Sequence, residues 1–182
     1  MKRIDIFRGA VLAATVLATG ALLAGGREEG GSRLPTVANA AWQRECASCH
    51  EPYHPGLLPA RSWQAVMSGL ARHFGDNAAL DAATRDEIAR FLAANAADAN
   101  GNRRSARIAA SVPAAAAPMR ISETGYIRAK HDEIRADVWN RPAIGSRANC
   151  AACHRTAGEG DFSERNVAIP GIGAAAVAAS AK

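Results

Sequence analysis

The sequence predicts an all-α protein, made of two small helical domains joined by an Ala/Pro-rich linker. Apolar residues recur at helical spacing in several segments, and no segment shows the convincing period-two alternation of a β-strand. The segment 98–118 is small, polar and contains Pro, which is typical of a linker. A length of 182 residues suits one domain or two small ones.

The first predicted domain covers residues 41–97. Its main helix should span 62–74, with Ser62 as a possible N-cap and Gly75 as a stop. The apolar residues at helical spacing in this segment are Trp63, Val66, Met67, Leu70 and Phe74. The pattern therefore predicts a helix with one apolar face.

A further helix of this domain is predicted over 82–97. Either Asp81 or Thr84 could cap it, because Thr84 and Glu87 have the spacing of a capping box ahead of an apolar run. Short helices are also expected at the two cysteine motifs described below.

The second predicted domain covers residues 119–170, and the low-complexity segment 171–182 is expected to be a flexible tail. Ser122 or Thr124 should open its first helix. One stripe of that helix would carry Ile127, His131, Ile134 and Val138.

The N-terminus has the features of a secretory signal. Three basic residues precede an uncharged, Ala- and Leu-rich run over 9–26, which ends in small residues. We expect residues 1–26 to be a signal peptide cleaved after Gly26, and the protein to be periplasmic. The alternative is an uncleaved N-terminal membrane anchor, for which this run is barely long enough, since a spanning helix needs roughly 17–25 residues.

The charge balance gives little support for nucleic-acid binding. The chain has 22 Lys+Arg and 17 Asp+Glu, a net charge of +5. No basic cluster interleaved with aromatic residues is present, so we expect no nucleic-acid partner.

Two short motifs carry the chemistry of the chain. The stretches "CASCH" (46–50) and "CAACH" (150–154) use all four cysteines, and each places a His directly after Cys-x-x-Cys. This pattern is the attachment signature of c-type haem. Residues three apart on a helical turn face the same side, so both thiols can bond one porphyrin edge while the His reaches the iron.

The sequence therefore predicts two covalently attached haem c groups. Cys46 and Cys49 would attach the first, and Cys150 and Cys153 the second. His50 and His154 would each ligate an iron. Zinc or disulfides are the alternatives, but the two Cys pairs lie far apart in sequence and each has its own His, which disfavours both.

The second axial ligand of the second haem must come from upstream. No Met or His follows His154, so a downstream Met ligand is excluded. His131 lies on the apolar stripe of its predicted helix and is the favoured ligand. Met119, at the edge of the linker, is the weaker candidate.

The first haem has three candidates for its second ligand. His73 is favoured because it lies beside the apolar face of helix 62–74. Met67 lies on the same helix and could compete, although core packing suits a flexible thioether. His54 follows His50 closely in a Pro-flanked segment, from which reaching the far face of the haem is difficult. Four arginines could pair with haem propionates: Arg61, Arg72, Arg120 and Arg128.

The chain resembles the small periplasmic dihaem cytochromes c of the DHC family. The resemblance covers most of residues 41–170 and is carried by "CASCHEPYHPGLLPARSW" (46–63), "GLARHFGDNAALD" (69–81), "ISETGYIRAKHDEI" (121–134) and "NCAACHRTAGEGDFSERNVAIP" (149–170). It implies two mostly helical, cytochrome c-like haem domains. It also implies bis-His haems whose second ligands match His73 and His131. The sequence departs from the family at His54, where a non-ligand residue, often Pro, is expected.

The resemblance further implies a periplasmic electron carrier and not an enzyme. Family members pass electrons from a membrane cytochrome b to a small high-spin haem protein, with transient contact at the membrane side. The alternative is a peroxidase-like dihaem enzyme with one open or displaceable axial site. A carrier with His/Met haems is a third hypothesis, but its second domain would need a Met after His154.

Overall fold

The computed structural model describes residues 33–172, and the predicted signal peptide and most of the predicted tail lie outside this range. Within it the chain forms six α-helices and no β-strand, only three isolated β-bridges. The helices are α1 (Ala40–Cys46), α2 (Ala60–Ser68), α3 (Ala82–Ala94), α4 (Arg103–Ala110), α5 (Gly125–Lys130) and α6 (Ala136–Trp139). The predicted all-α class is confirmed.

Short 3-10 turns connect the α-helices. They span Pro55–Leu57, Leu70–Arg72, Ile121–Glu123, Cys150–Ala152, Ala157–Glu159 and Glu164–Asn166. In the described part of the chain, none of the helices has both the length and the apolar content that a bilayer crossing requires.

Helix α2 differs from its prediction at both ends. It begins after Pro59, whose fixed φ of −67° leads into the helix. Ser62 is therefore not an N-cap but lies buried inside the helix. The helix stops at Gly69, and one 3-10 turn carries the chain on to His73.

Helix α3 follows its prediction closely at the N-terminus. The Asp81 carboxylate accepts hydrogen bonds from the backbone N–H groups of Ala83 and Thr84, each at 3.0 Å, so Asp81 is the cap. The helix ends at Ala94, and it packs against α2 and α1. The core shared by these helices contains Trp42, Leu58, Trp63, Val66, Met67, Ile88 and Leu92.

The segment predicted as a linker contains helix α4. The Asn102 side chain caps it by accepting from the N–H groups of Arg104 and Ser105. Ile108 is fully buried in a second core. That core also holds Leu34, Leu57 and Ala97, with Ile121, Tyr126, Ile127 and Phe162 packed against it. The segment 98–118 is thus not irregular throughout, and it contacts residues on both sides of it.

Helix α5 is shorter than the sequence predicts. Thr124 precedes it as the N-cap residue, as expected, but the helix ends at Lys130. His131 is its C-cap residue, and Val138 lies on the separate helix α6. Of the predicted stripe, only Ile127 and Val138 lie on helices, and these are two different short helices.

Candidate functional site

The first cysteine motif begins at the end of α1. The side chain of Asn39 starts this helix by accepting from the Trp42 N–H at 2.7 Å, and Cys46 is its last residue. Burial, followed by the charge of Glu45, raises the pKa of Cys46 to about 11, so this thiol is neutral at neutral pH. All four cysteines are free thiols, and neither Cys-x-x-Cys pair is closed as a disulfide.

The structure brings His73 to the first motif. The imidazole rings of His50 and His73 have centroids 6.1 Å apart, with an interplanar angle of 23°. Two imidazoles that ligate one metal ion through bonds of about 2 Å have centroids roughly 6 Å apart. His50 Nδ1 lies 2.6 Å from the Glu51 carbonyl oxygen, which leaves its other nitrogen for a metal. The pair therefore fits an iron between the rings.

A tight turn over 73–76 places His73. The backbone N–H of His73 donates to Asp76 O at 2.8 Å, and the Asp76 N–H donates back to His73 O at 3.0 Å. Phe74 and Gly75 have φ values of 53° and 112°, and positive φ at both central positions is the geometry of a type I′ turn. The backbone of Phe74 is strained here. Its ring lies edge-on to the His73 ring, with the ring centroids 4.8 Å apart.

The two other candidates for the first site have different roles in the structure. His54 Nε2 lies 2.7 Å from the Pro35 carbonyl oxygen, and its Nδ1 accepts from the Gly56 N–H at 2.9 Å. Both nitrogens are thus occupied. Met67 is buried in the core between α2 and α3, with 7% of its surface exposed. This placement supports His73 over His54 and Met67.

The second motif forms a 3-10 turn over Cys150–Ala152, and the His154 N–H donates to Cys150 O at 2.8 Å. The Ser146 hydroxyl accepts from the Ala148 N–H ahead of this turn. Burial raises the pKa of Cys150 to about 11.

His131 lies opposite His154. Their ring centroids are 5.9 Å apart, but the interplanar angle is 74°. His131 Nδ1 lies 2.7 Å from Ile127 O, so its other nitrogen is left for a metal, as in His50. The distance again fits one metal ion between two imidazoles.

His154 is in a more enclosed environment than His50. Burial, then the neighbouring His131, lowers its pKa to about 4, so the ring is neutral and has a lone pair for a metal. Its Nδ1 is buried without a hydrogen-bond partner among the described residues. Buried polar atoms without partners are rare, which is consistent with a side chain that is completed by a bound group.

A buried carboxylate organises the loop after the second motif. Asp161 accepts from the N–H and hydroxyl of Ser163 at 2.9 and 2.6 Å, and from the Asn166 amide at 3.1 Å. The next residue, Phe162, meets the His154 ring edge-on at 5.4 Å. None of the predicted site residues belongs to this network, although the order Asp-x-Ser is typical of a side chain that bonds the backbone two residues on.

A cavity of about 730 Å³ lies beside His131. Three of its lining residues are arginines, namely Arg120, Arg128 and Arg147. Guanidinium groups suit carboxylates such as haem propionates, so two of the four predicted arginines are well placed. Arg61 is not, because it donates to the carbonyl oxygens of Val112, Pro113 and Ala116.

The two motifs lie next to each other in space. The Tyr53 ring stacks on His50 with centroids 4.9 Å apart, and the Tyr53 hydroxyl donates to Ala148 O at 2.7 Å. Ala148 precedes Cys150 by two residues. No sequence pattern reveals this contact, which joins residues 95 positions apart.

The donor set fits haem iron. A structural zinc site uses four protein ligands, whereas residues 33–172 bring together no group of three or more His, Cys, Asp or Glu side chains. Instead they form two separate His pairs, each beside a Cys-x-x-Cys pair. An iron whose other four ligands come from a porphyrin needs only such a pair.

Known proteins match this chain in family and in structure. The family model described as "Dihaem cytochrome c" matches residues 42–162. The solved diheme cytochrome c from Rhodobacter sphaeroides is 41% identical, with a TM-score of 0.62, and the match covers 70% of this chain and 98% of that one. The diheme cytochrome from Shewanella baltica OS155 is 37% identical, with a TM-score of 0.61 and coverage of 74% and 95%. No curated protein matches the chain.

Proposed function

Because the chain belongs to the dihaem cytochrome c family and has two haem c groups as cofactors, we propose that it is a periplasmic electron carrier with two bis-His, low-spin haems. The observation that carries the proposal is the pair of His–His separations, 6.1 and 5.9 Å, each beside a Cys-x-x-Cys pair. Bound haem iron accepts and releases one electron between its ferric and ferrous states.

The chain's own residues would attach the two haems and ligate the two irons. Cys46 and Cys49 would bond the first haem, and Cys150 and Cys153 the second. His50 with His73 would ligate the first iron, and His154 with His131 the second. An iron with two protein ligands has no open position for a substrate, so an electron carrier is favoured over a peroxidase-like enzyme. The potentials would be tuned by ligand type, burial and hydrogen bonding.

We further propose that the partners are redox proteins. A membrane cytochrome b as donor and a small high-spin haem protein as acceptor agree with the family resemblance. Contacts of this kind are small and transient. Mixing the protein with each purified candidate tests this assignment. The measured quantity is the rate of haem oxidation or reduction and its dependence on salt concentration.

The central experiment is a spectroscopic redox titration of the purified holoprotein. We expect two haems per chain, both low-spin when ferric, without the long-wavelength absorption band of Met–iron ligation. A high-spin fraction would indicate an open site and support the enzyme hypothesis. A Met–iron band would support Met67 or Met119 as a ligand instead of His73 or His131.

A further inference from the structure

We propose that Tyr53 is a positioning residue that orients the His50 ligand and ties the first haem site to the second. The inference rests on the proposed function, because it takes His50 as an iron ligand. Its basis is that one side chain contacts the ring of His50 and the backbone of the second motif at once.

The ring of Tyr53 restrains the plane of His50. The two rings stack at 4.9 Å with an interplanar angle of 22°. His50 lies in an exposed turn, and its other restraint is the contact of Nδ1 with Glu51 O at 2.6 Å. The hydrogen bond fixes the direction of the ring, and the stack fixes its tilt. Together they define the imidazole plane before an iron binds.

The hydroxyl of Tyr53 reaches the attachment turn of the second site. It donates to Ala148 O at 2.7 Å, and the same carbonyl accepts from the Cys150 N–H at 3.0 Å. One shared acceptor thus connects Tyr53 with a cysteine that attaches the second haem. The chain is continuous from the His50 ring, through Tyr53 and the Ala148 carbonyl, to Cys150.

The surroundings of Tyr53 keep this link intact. Its ring is half-buried, and an ordinary phenol keeps its proton at neutral pH. Glu51 also approaches the turn that follows the second motif. Its carboxylate oxygen lies 3.6 Å from the point that a side-chain Cβ on Gly158 would occupy. The two motif loops are therefore in close contact, and the Tyr53 bond sets their separation.

Electron exchange between two haems falls steeply with distance and with disorder in the contact between them. A tie between the two attachment loops would therefore keep intramolecular exchange fast. Loss of the hydroxyl alone would loosen the tie but keep the stack. Loss of the ring would remove both.

Two variants of the holoprotein separate these effects. In Tyr53→Phe we expect electron exchange between the haems, measured by NMR on the half-reduced protein, to slow several-fold, while the ferric EPR signal of the first haem is unchanged. In Tyr53→Leu we expect the same slowing and also a shift of that EPR signal. Tyr126→Phe, which removes the hydroxyl of the other tyrosine, should leave both readouts as in the wild type.

Two results would overturn the proposal. Wild-type exchange in Tyr53→Phe would show that the hydroxyl does not tie the sites. An unshifted first-haem signal in Tyr53→Leu would show that the ring does not orient His50. Failure of the proposed function looks different, because the wild-type protein itself would then lack two low-spin haems.

Discussion

The two His pairs have almost the same separation between ring centroids but very different angles between the ring planes. The centroids are 6.1 Å apart in the first site and 5.9 Å in the second, whereas the interplanar angles are 23° and 74°. The separation is what a shared metal ion requires. The angle is set by the local structure of each site, and it is therefore the property in which two haems on one chain can differ.

Different neighbours explain the two angles. In the first site the rings of Tyr53 and Phe74 contact one histidine each, and Tyr53 is nearly parallel to its partner at 22°. In the second site Phe162 meets His154 at 64° and Trp139 meets His131 at 52°. The first site thus has one stacked and one edge-on neighbour, whereas both neighbours of the second site are inclined to their histidines.

Removal of the second ligands should have the largest effect on this comparison. We expect His131→Ala to make only the second haem high-spin, and His73→Ala to make only the first haem high-spin, because each variant would remove one of the two proposed protein ligands of that iron. Each variant is the control for the other. Ferric absorption and EPR spectra measure the outcome, and an unchanged spectrum in either variant would refute that ligand assignment.

The wild-type protein should show two distinct low-spin ferric EPR signals. Nearly parallel imidazole planes remove the degeneracy of the iron d orbitals more than crossed planes do. We therefore expect a rhombic signal from the first haem and a highly anisotropic signal from the second. Each ligand variant above should abolish one of them. Two identical rhombic signals would contradict the crossed geometry of the second site.

The buried Asp161 network should stabilise the fold around the second site. Hydrogen bonds to a charged group contribute roughly 1.5–3 kcal/mol, so Asp161→Asn should lower the free energy of unfolding by about that amount in chemical denaturation. The exposed Asp86→Asn, which loses only a surface contact with Arg85, is the matched control. An equal loss of unfolding free energy in both variants would show that Asp161 has no special role.

The same carboxylate predicts a direction of pH dependence. Hydrogen bonds from the Ser163 hydroxyl, and next from its backbone N–H, lower the pKa of Asp161 below its ordinary 3.8. Its contribution to stability is therefore complete above that ordinary value and is lost as the pH falls through the lower, folded-state pKa. The difference in unfolding free energy between wild type and Asp161→Asn should shrink over that range. A constant difference would contradict the shift.

The smallest effect is expected at His54. Because both of its nitrogens are hydrogen-bonded to backbone groups, His54→Gln should cost about 1 kcal/mol of stability and leave both haems low-spin. Absorption spectra and chemical denaturation of the holoprotein measure the two quantities. A high-spin first haem in this variant would show that His54, and not His73, is the ligand.

Much of the site geometry follows from local sequence patterns. The motifs and the helical pattern upstream of His154 favour His131 over Met119, and Asp81 is one of the two caps that the sequence predicts for α3. His73 was favoured as well, but for an incomplete reason. It does not lie on α2 with Val66; the type I′ turn that follows the 3-10 turn Leu70–Arg72 places it.

Long-range contacts could not be predicted in this way. The Tyr53–Ala148 bond and the burial of Ile108 depend on where distant segments meet. Helix α4 did leave a signal. Asn102 is a good cap, and Ser105, Ile108 and Val112 follow at helical spacing, but the Arg- and Ala-rich composition masks this pattern.

Helix α4 also bears on whether the protein can be divided. Its buried Ile108 shares a core with Leu57 and Ala97 from the preceding block, and Ile127 from the following block packs against that core. A protease that cut within 103–110 would expose apolar surface on both fragments, so neither fragment would be a stable monohaem protein. A chain that contains one haem block alone should therefore fold poorly. The two redox centres would then exist only together, in one folded protein.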